Sequence, residues 1–145
     1  MTDVLTKPSH VSKGFSRASA DIEVPLSTKL AARSFKRYFQ QLDDAFYVSS
    51  KVLREQGRDE EASRVENSIQ TLFGAFDTEL THALEKFQKT LADKHGSFQM
   101  GAIRFDGAEK LKGRVSTGFS VRLVRQFVAF DECLAKIQEL ELLGA

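Results

Sequence analysis

The chain has 145 residues, enough to bury a single-domain core, and its 41% hydrophobic and 28% charged residues are those of an ordinary water-soluble globular protein. A lone cysteine, Cys133, excludes an intrachain disulfide, no apolar run approaches the roughly 20 residues needed to cross a bilayer, and the polar N-terminus lacks a signal peptide's apolar segment, so a cytoplasmic protein is expected. The net charge of +1 conceals a pattern: residues 1–42 and 96–125 each carry +4, residues 43–95 carry −4 and residues 126–145 carry −3. A nearly neutral chain so divided can still turn a basic face towards a polyanion.

In chain order, residues 1–20 show no periodicity and read as a flexible N-terminal arm, leaving residues 21–145 as one helical domain. In "DIEVPL", Ile22, Val24 and Leu26 alternate with Asp21, Glu23 and Pro25, which predicts a short strand with proline at a sheet edge. Ser27 or Thr28 then caps a helix to about Gln56, with an apolar stripe through Phe35, Phe39, Leu42 and Phe46, and Gly57 ends it. Asp59 reads as the cap of a second long helix running to about Leu91, the two forming an antiparallel hairpin. Gly96 breaks that pattern. The glycine-punctuated segment that follows predicts two strands, Phe98–Phe105 and Arg114–Phe119, as a β-ribbon at about 98–119 with an Asp106-Gly107 turn signal. Ser120 is the expected cap of a last helix ending at Gly144. The fold class is therefore mostly α: three long helices with a small β-ribbon.

No chemistry of catalysis accompanies these elements. His10, His82 and His95 have no metal-ligand spacing, no phosphate-binding glycine loop or nucleophile motif occurs, and Cys133 has no base partner in sequence. Asp43-Asp44 reads as a solvated acidic pair and Asp59–Glu61 as a helix start. No enzyme activity, cofactor or metal is expected.

Two basic clusters remain. Lys29, Arg33, Lys36 and Arg37 fall along one face of the first helix, in a position to neutralise phosphates. Arg104, Lys110, Lys112, Arg114, Arg122 and Arg125 occupy the ribbon and the start of the last helix. Strand alternation over "KGRVSTGF" would place Lys112, Arg114 and Ser116 on one side and Val115, Thr117 and Phe119 on the other. A two-stranded ribbon fits the major groove, where arginine reads guanine, so Arg104, Arg114 and Ser116 are the candidate base contacts. Lys110 and Lys112 join the first cluster as candidate phosphate contacts, and Arg122 and Arg125 serve either phosphates or a second subunit. A plain hairpin packed on the helices with its charged side wet accounts for the same residues.

The segment "VSTGFSVRLVRQFVAFDECLAKIQELELLG" resembles the C-terminal signature of the AcaB-like family of integrating conjugative element and conjugative plasmid proteins. The likeness lies in Phe119–Ser120, Asp131 and Leu142-Leu143-Gly144, and "DIEVPLSTKLAARSFKRYF" is similar to the family's early strand-then-helix region. The resemblance implies a bacterial mobile-element protein, a transcriptional activator of conjugation genes with ribbon-helix-helix character that binds double-stranded promoter DNA as a homodimer. A ribbon-helix-helix unit is a strand followed by two short helices, and here the chain ends after one long helix. The alternative is a helical adaptor of the conjugation machinery, recruiting a partner helix through its phenylalanine stripes.

Overall fold

The computed structural model describes residues 17–94, 105–106 and 108–144. Strand β1 (Ala20–Leu26) leads into helix α1 (Lys29–Tyr47), which continues through a π-helical turn (Val48–Val52) and the short α2 (Leu53–Glu55); α3 (Asp59–Lys94), β2 (Glu109–Val115) and α4 (Gly118–Leu142) follow. The result is a mostly helical chain with three long helices and one two-stranded antiparallel sheet.

The predicted strand at 21–26 and all three long helices are present, but the ribbon is not the local hairpin expected from 98–119. β2 pairs with β1, some ninety residues earlier in the chain, with Ala20 opposite Val115 and Leu26 opposite Glu109. "AEKLK", which by sequence reads as a turn or a single helical turn between the two expected strands, supplies the start of β2, and the strand ends at Val115 instead of continuing to Phe119. Phe98 to Arg104 lie outside the described residues, while the Ala108 N–H donates to the Phe105 carbonyl at 3.2 Å across the Asp-Gly turn signal.

The helix ends follow local chemistry. Thr28 has extended backbone angles and its hydroxyl accepts from the Ala31 N–H, so it caps α1. Thr117 does the same for α4, accepting from the Ser120 N–H, so the cap is three residues before the one expected. After α2, Gly57 adopts φ +77° and its N–H donates to Arg54 while Arg58 donates to Leu53, the paired bonds of a glycine C-terminal motif. Asp59, Glu60 and Glu61 all lie inside the first turn of α3, where their charge favours the helix dipole; Asp59 is a helical residue there, not the cap.

The core lies between the sheet and the α1–α4 pair. Val24, Leu26, Ala31, Ala32, Phe35, Phe39 and Leu111 are buried together, with Ile22, Val115, Phe127, Phe130 and Leu134 packed against them. Phe35 stacks on Phe39 with centroids 4.5 Å apart, and both meet Phe127 edge-on. Gly113 permits this approach: a Cβ there would sit 3.1 Å from the Phe39 ring. α4 packs against both α1 and α3, and Phe46 and Phe119 meet Phe73 where the three helices come together.

Candidate nucleic-acid interface

Two buried aspartates fix the parts of the molecule that carry the basic residues. Asp131 of α4 reaches the start of α1, accepting from the Ser27 N–H (2.9 Å), the Thr28 N–H (2.8 Å) and the Thr28 hydroxyl (2.7 Å). A carboxylate at these otherwise unsatisfied donors complements the positive end of α1. Asp43 of α1 reaches the start of α4 and is fully buried. It accepts from the Ser116 N–H (2.7 Å) and hydroxyl (2.9 Å), from the Ser120 hydroxyl, from Gln40 (3.3 Å) and from Arg17 (3.1 Å). The solvated Asp43-Asp44 pair expected from sequence is thus divided: Asp44 is exposed and Asp43 is interior. Positions 35, 39, 43 and 47 share the core stripe of α1, the periodicity that marks Asp43 as buried.

Arg17, placed by sequence in a flexible arm, belongs to this hub. Its guanidinium bonds Asp43, Asp44 and Ser116 and lies over the Tyr47 ring, 4.3 Å from the centroid. Burial, then the Glu55 charge, pushes the Tyr47 hydroxyl above its ordinary range, while Arg17 acts in the opposite direction.

The basic residues separate into a convergent group and a dispersed one. The outer face of the sheet carries Lys110, Lys112 and Arg114, all exposed, while Leu111, Gly113 and Val115 turn inward. Gln40 of α1 grips the edge of β2 turned away from β1, donating to the Arg114 carbonyl (3.2 Å) and accepting from the Arg114 N–H (3.1 Å), as a further strand would. This draws α1 alongside β2, so that Lys36, Lys110 and Lys112 line one cleft of about 280 Å³ with Phe35 and Phe39 at its base. Lys29 and Arg33 continue the strip at helical spacing from Lys36, and Arg37 lies beside its neighbour Tyr38, 5.3 Å from the ring centroid. Carboxylates temper the face: Glu109 pairs with Lys36 at 2.9 Å, Asp44 lies 4.0 Å from Arg114, and Asp21 and Glu23 project from β1.

The other candidates fall elsewhere. Ser116 does not share the face of Lys112 and Arg114, because the strand has ended and both its N–H and hydroxyl are held by Asp43. Arg122 faces α3, paired with Asp77 at 2.8 Å and lying over the Phe73 ring. Arg125 is exposed on α4, on the side opposite Phe127 by helical geometry. Arg104 lies outside the described residues.

A second surface is apolar. Leu42 and Phe46 of α1, Ile69, Leu72, Phe73 and Phe76 of α3 and Leu123 of α4 line an open groove of about 550 Å³. Leu72 is 71% exposed and Phe76 44%. Among the described residues no cluster of side chains could hold a metal ion, and no helix is long and apolar enough to cross a membrane. Cys133 is buried with its thiol 3.8 Å from the Leu80 carbonyl, and burial, aided by the Glu132 charge, raises its pKa.

By sequence the chain matches no family model and no curated protein. By structure it is similar to AcaB from uropathogenic E. coli, solved as the selenomethionine protein, with a TM-score of 0.76 at 17% identity over 88% of this chain and 64% of that one. The chain thus spans a little under two thirds of the AcaB chain it matches. At this identity the likeness speaks for the fold alone, and the chain has an AcaB-like fold.

Proposed function

We propose that the chain is a non-catalytic, DNA-binding transcriptional regulator of conjugative-transfer genes on a bacterial mobile element, an activator working in the cytoplasm. The observation that carries this reading is the convergence of Lys36 from α1 with Lys110 and Lys112 from β2 around one cleft, extended by Lys29 and Arg33. Cations so placed on a helix and a strand can meet successive phosphates while the outer face of the ribbon enters a groove. The AcaB-like fold and the sequence resemblance to conjugative-element proteins support the biological setting. Lys29, Arg33, Lys36, Arg37 and Lys110 are the phosphate contacts of this reading, with Lys112 and Arg114 nearest the bases.

An electrophoretic mobility assay with promoter fragments of conjugative elements, titrated with salt, tests it. A shift at low salt is expected, weakening as salt rises, and Arg33→Ala with Lys36→Ala should reduce the slope of log affinity against log salt by about 0.9 per lost phosphate contact. Failure to shift any such fragment at low salt sinks the reading.

The open apolar groove favours a second reading, an adaptor that receives a partner's amphipathic helix. Leu72→Glu with Phe76→Glu separates the two: it should abolish capture of such a helix and leave DNA binding intact.

A further inference from the structure

The sheet register contains a symmetry. β1 and β2 are each seven residues long, and Glu23 faces Lys112 at the middle of both, so the ribbon is centred on that pair. Each strand passes directly into Ser-Thr and then a helix: Leu26-Ser27-Thr28 into α1, and Val115-Ser116-Thr117 into α4. Each threonine caps its own helix, Ala31 and Ser120 occupy equivalent buried positions in the first turn, and each helix sends an aspartate back to the other's start. Two strand–helix units of one chain, β1–α1 and β2–α4, are therefore related by a pseudo-dyad, the arrangement two copies would make about a true two-fold axis, with α3 outside the repeat.

The dyad governs the inside and fails on the outside. Facing the core, Ile22 corresponds to Leu111, Val24 to Gly113 and Leu26 to Val115, apolar or small throughout. On the outer face Asp21 corresponds to Lys110, Glu23 to Lys112 and Pro25 to Arg114, so the charge is reversed at both acidic positions. Neither Glu23–Lys112 nor Asp21–Arg114, the facing pairs, is closed as an ion pair among the described residues; Arg114 lies at the 4.0 Å edge of ion-pair range from Asp44, and Asp21, Glu23 and Lys112 are left open to a ligand.

We infer that this face reads a G·C-containing duplex site with no dyad of its own, one chain to a site, with Lys112 and Arg114 on guanine edges and Asp21 and Glu23 accepting from cytosine amino groups. The inference rests on the DNA-binding reading above. In the major groove guanine offers two acceptors and cytosine a donor, so a cationic strand beside an anionic one matches consecutive G·C pairs. A homodimeric ribbon presents two identical sets of side chains and reads a palindrome; this ribbon presents two opposite sets. The carboxylates are also repelled by the acceptor edges of guanine and thymine at their own positions, which lowers affinity for other sequences and gains specificity.

Selection from a randomised duplex pool with the full chain, followed by native mass spectrometry on the enriched duplex, tests this. The expected result is a motif without two-fold symmetry, holding G·C pairs and bound by one chain. Glu23→Gln should then reduce discrimination at one base position about tenfold, with an unchanged thermal melt showing that the fold is kept. A palindromic motif bound by two chains overturns the inference and leaves DNA binding standing. An asymmetric motif on which Glu23→Gln discriminates as well as the parent also overturns it, because β1 then reads nothing. A pool that enriches nothing, with no low-salt shift, removes the DNA-binding reading itself.

Discussion

The two Ser-Thr junctions are built alike and held unequally. At the head of α1, Asp131 accepts three bonds, all from Ser27 and Thr28, and works as a helix cap supplied by another helix. At the head of α4, Asp43 accepts from four residues, and one of its partners is the cation Arg17, itself mostly buried. The first junction joins α4 to α1; the second joins α1, β2, α4 and the segment before β1. The same local sequence gives the same local cap in both places, and the long-range carboxylate decides how much structure each cap ties together.

Removing each carboxylate sharpens that comparison. Asp43→Ala strands a buried guanidinium and several buried donors, and is expected to cost about 3–5 kcal/mol, measured by chemical denaturation. Asp131→Ala removes a cap and a dipole partner, with an expected loss of about 2 kcal/mol. Equal losses would mean that Arg17 and Gln40 contribute nothing beyond what a cap supplies.

Gly113 tests the dyad's one uneven core position. Its counterpart Val24 is buried, whereas at 113 even a methyl group would press on the rings of Phe39 and Phe35 at 3.1–3.3 Å. Gly113→Ala should cost about 1 kcal/mol and Gly113→Val about 2–3 kcal/mol by overpacking, read from the same denaturation curves. A neutral Gly113→Val would show that α1 can move off β2, loosening the cleft that gathers Lys36, Lys110 and Lys112.

Much of this fold is legible in the amino-acid sequence. Alternation marks β1, helical periodicity marks three long helices, and Gly57 and Gly144 punctuate them where φ is positive. β2 is not legible in the same way. Local cues favour a hairpin between 98 and 119, whereas its partner is β1, about ninety residues away, and no periodicity within a window reports a pairing at that distance. Alternation carried past Val115 puts Ser116 on the outer face, but the strand has already ended there. Asp43 carries a signal that its chemistry conceals: it sits on the stripe of Phe35, Phe39 and Tyr47, yet a carboxylate beside another carboxylate reads as surface. Asp131, singled out by the family resemblance, has a structural role that spacing cannot show, since its partners begin the first helix. Among the site residues, the strip at 29, 33 and 36 is readable from helical spacing, but its meeting with Lys110 and Lys112 depends on the Gln40 clamp.

The smallest effect expected belongs to the α3–α4 contact, where a third aspartate is held without being buried. Asp77 accepts from Gln126 Nε2 at 2.8 Å and from Arg122 at 2.8 Å. The Gln126 bond, followed by the Arg122 bond, holds its carboxyl below the ordinary aspartate range. A folded-state pKa below the unfolded value means that the stabilisation is present above the unfolded pKa and is lost as pH falls through the folded one. With the Asp77 side chain 46% exposed, solvent screening keeps the gain under about 1 kcal/mol. Asp77→Asn should therefore be slightly less stable than the parent at neutral pH, with the gap narrowing in salt, and the two denaturation midpoints should converge in strong acid. A gap that persists in acid would transfer the effect to Gln126, which is buried and also donates to the Phe73 carbonyl at 2.9 Å. α3 would then be held to α4 by a neutral hydrogen bond, and its charges would be dispensable, unlike those that close the two Ser-Thr junctions.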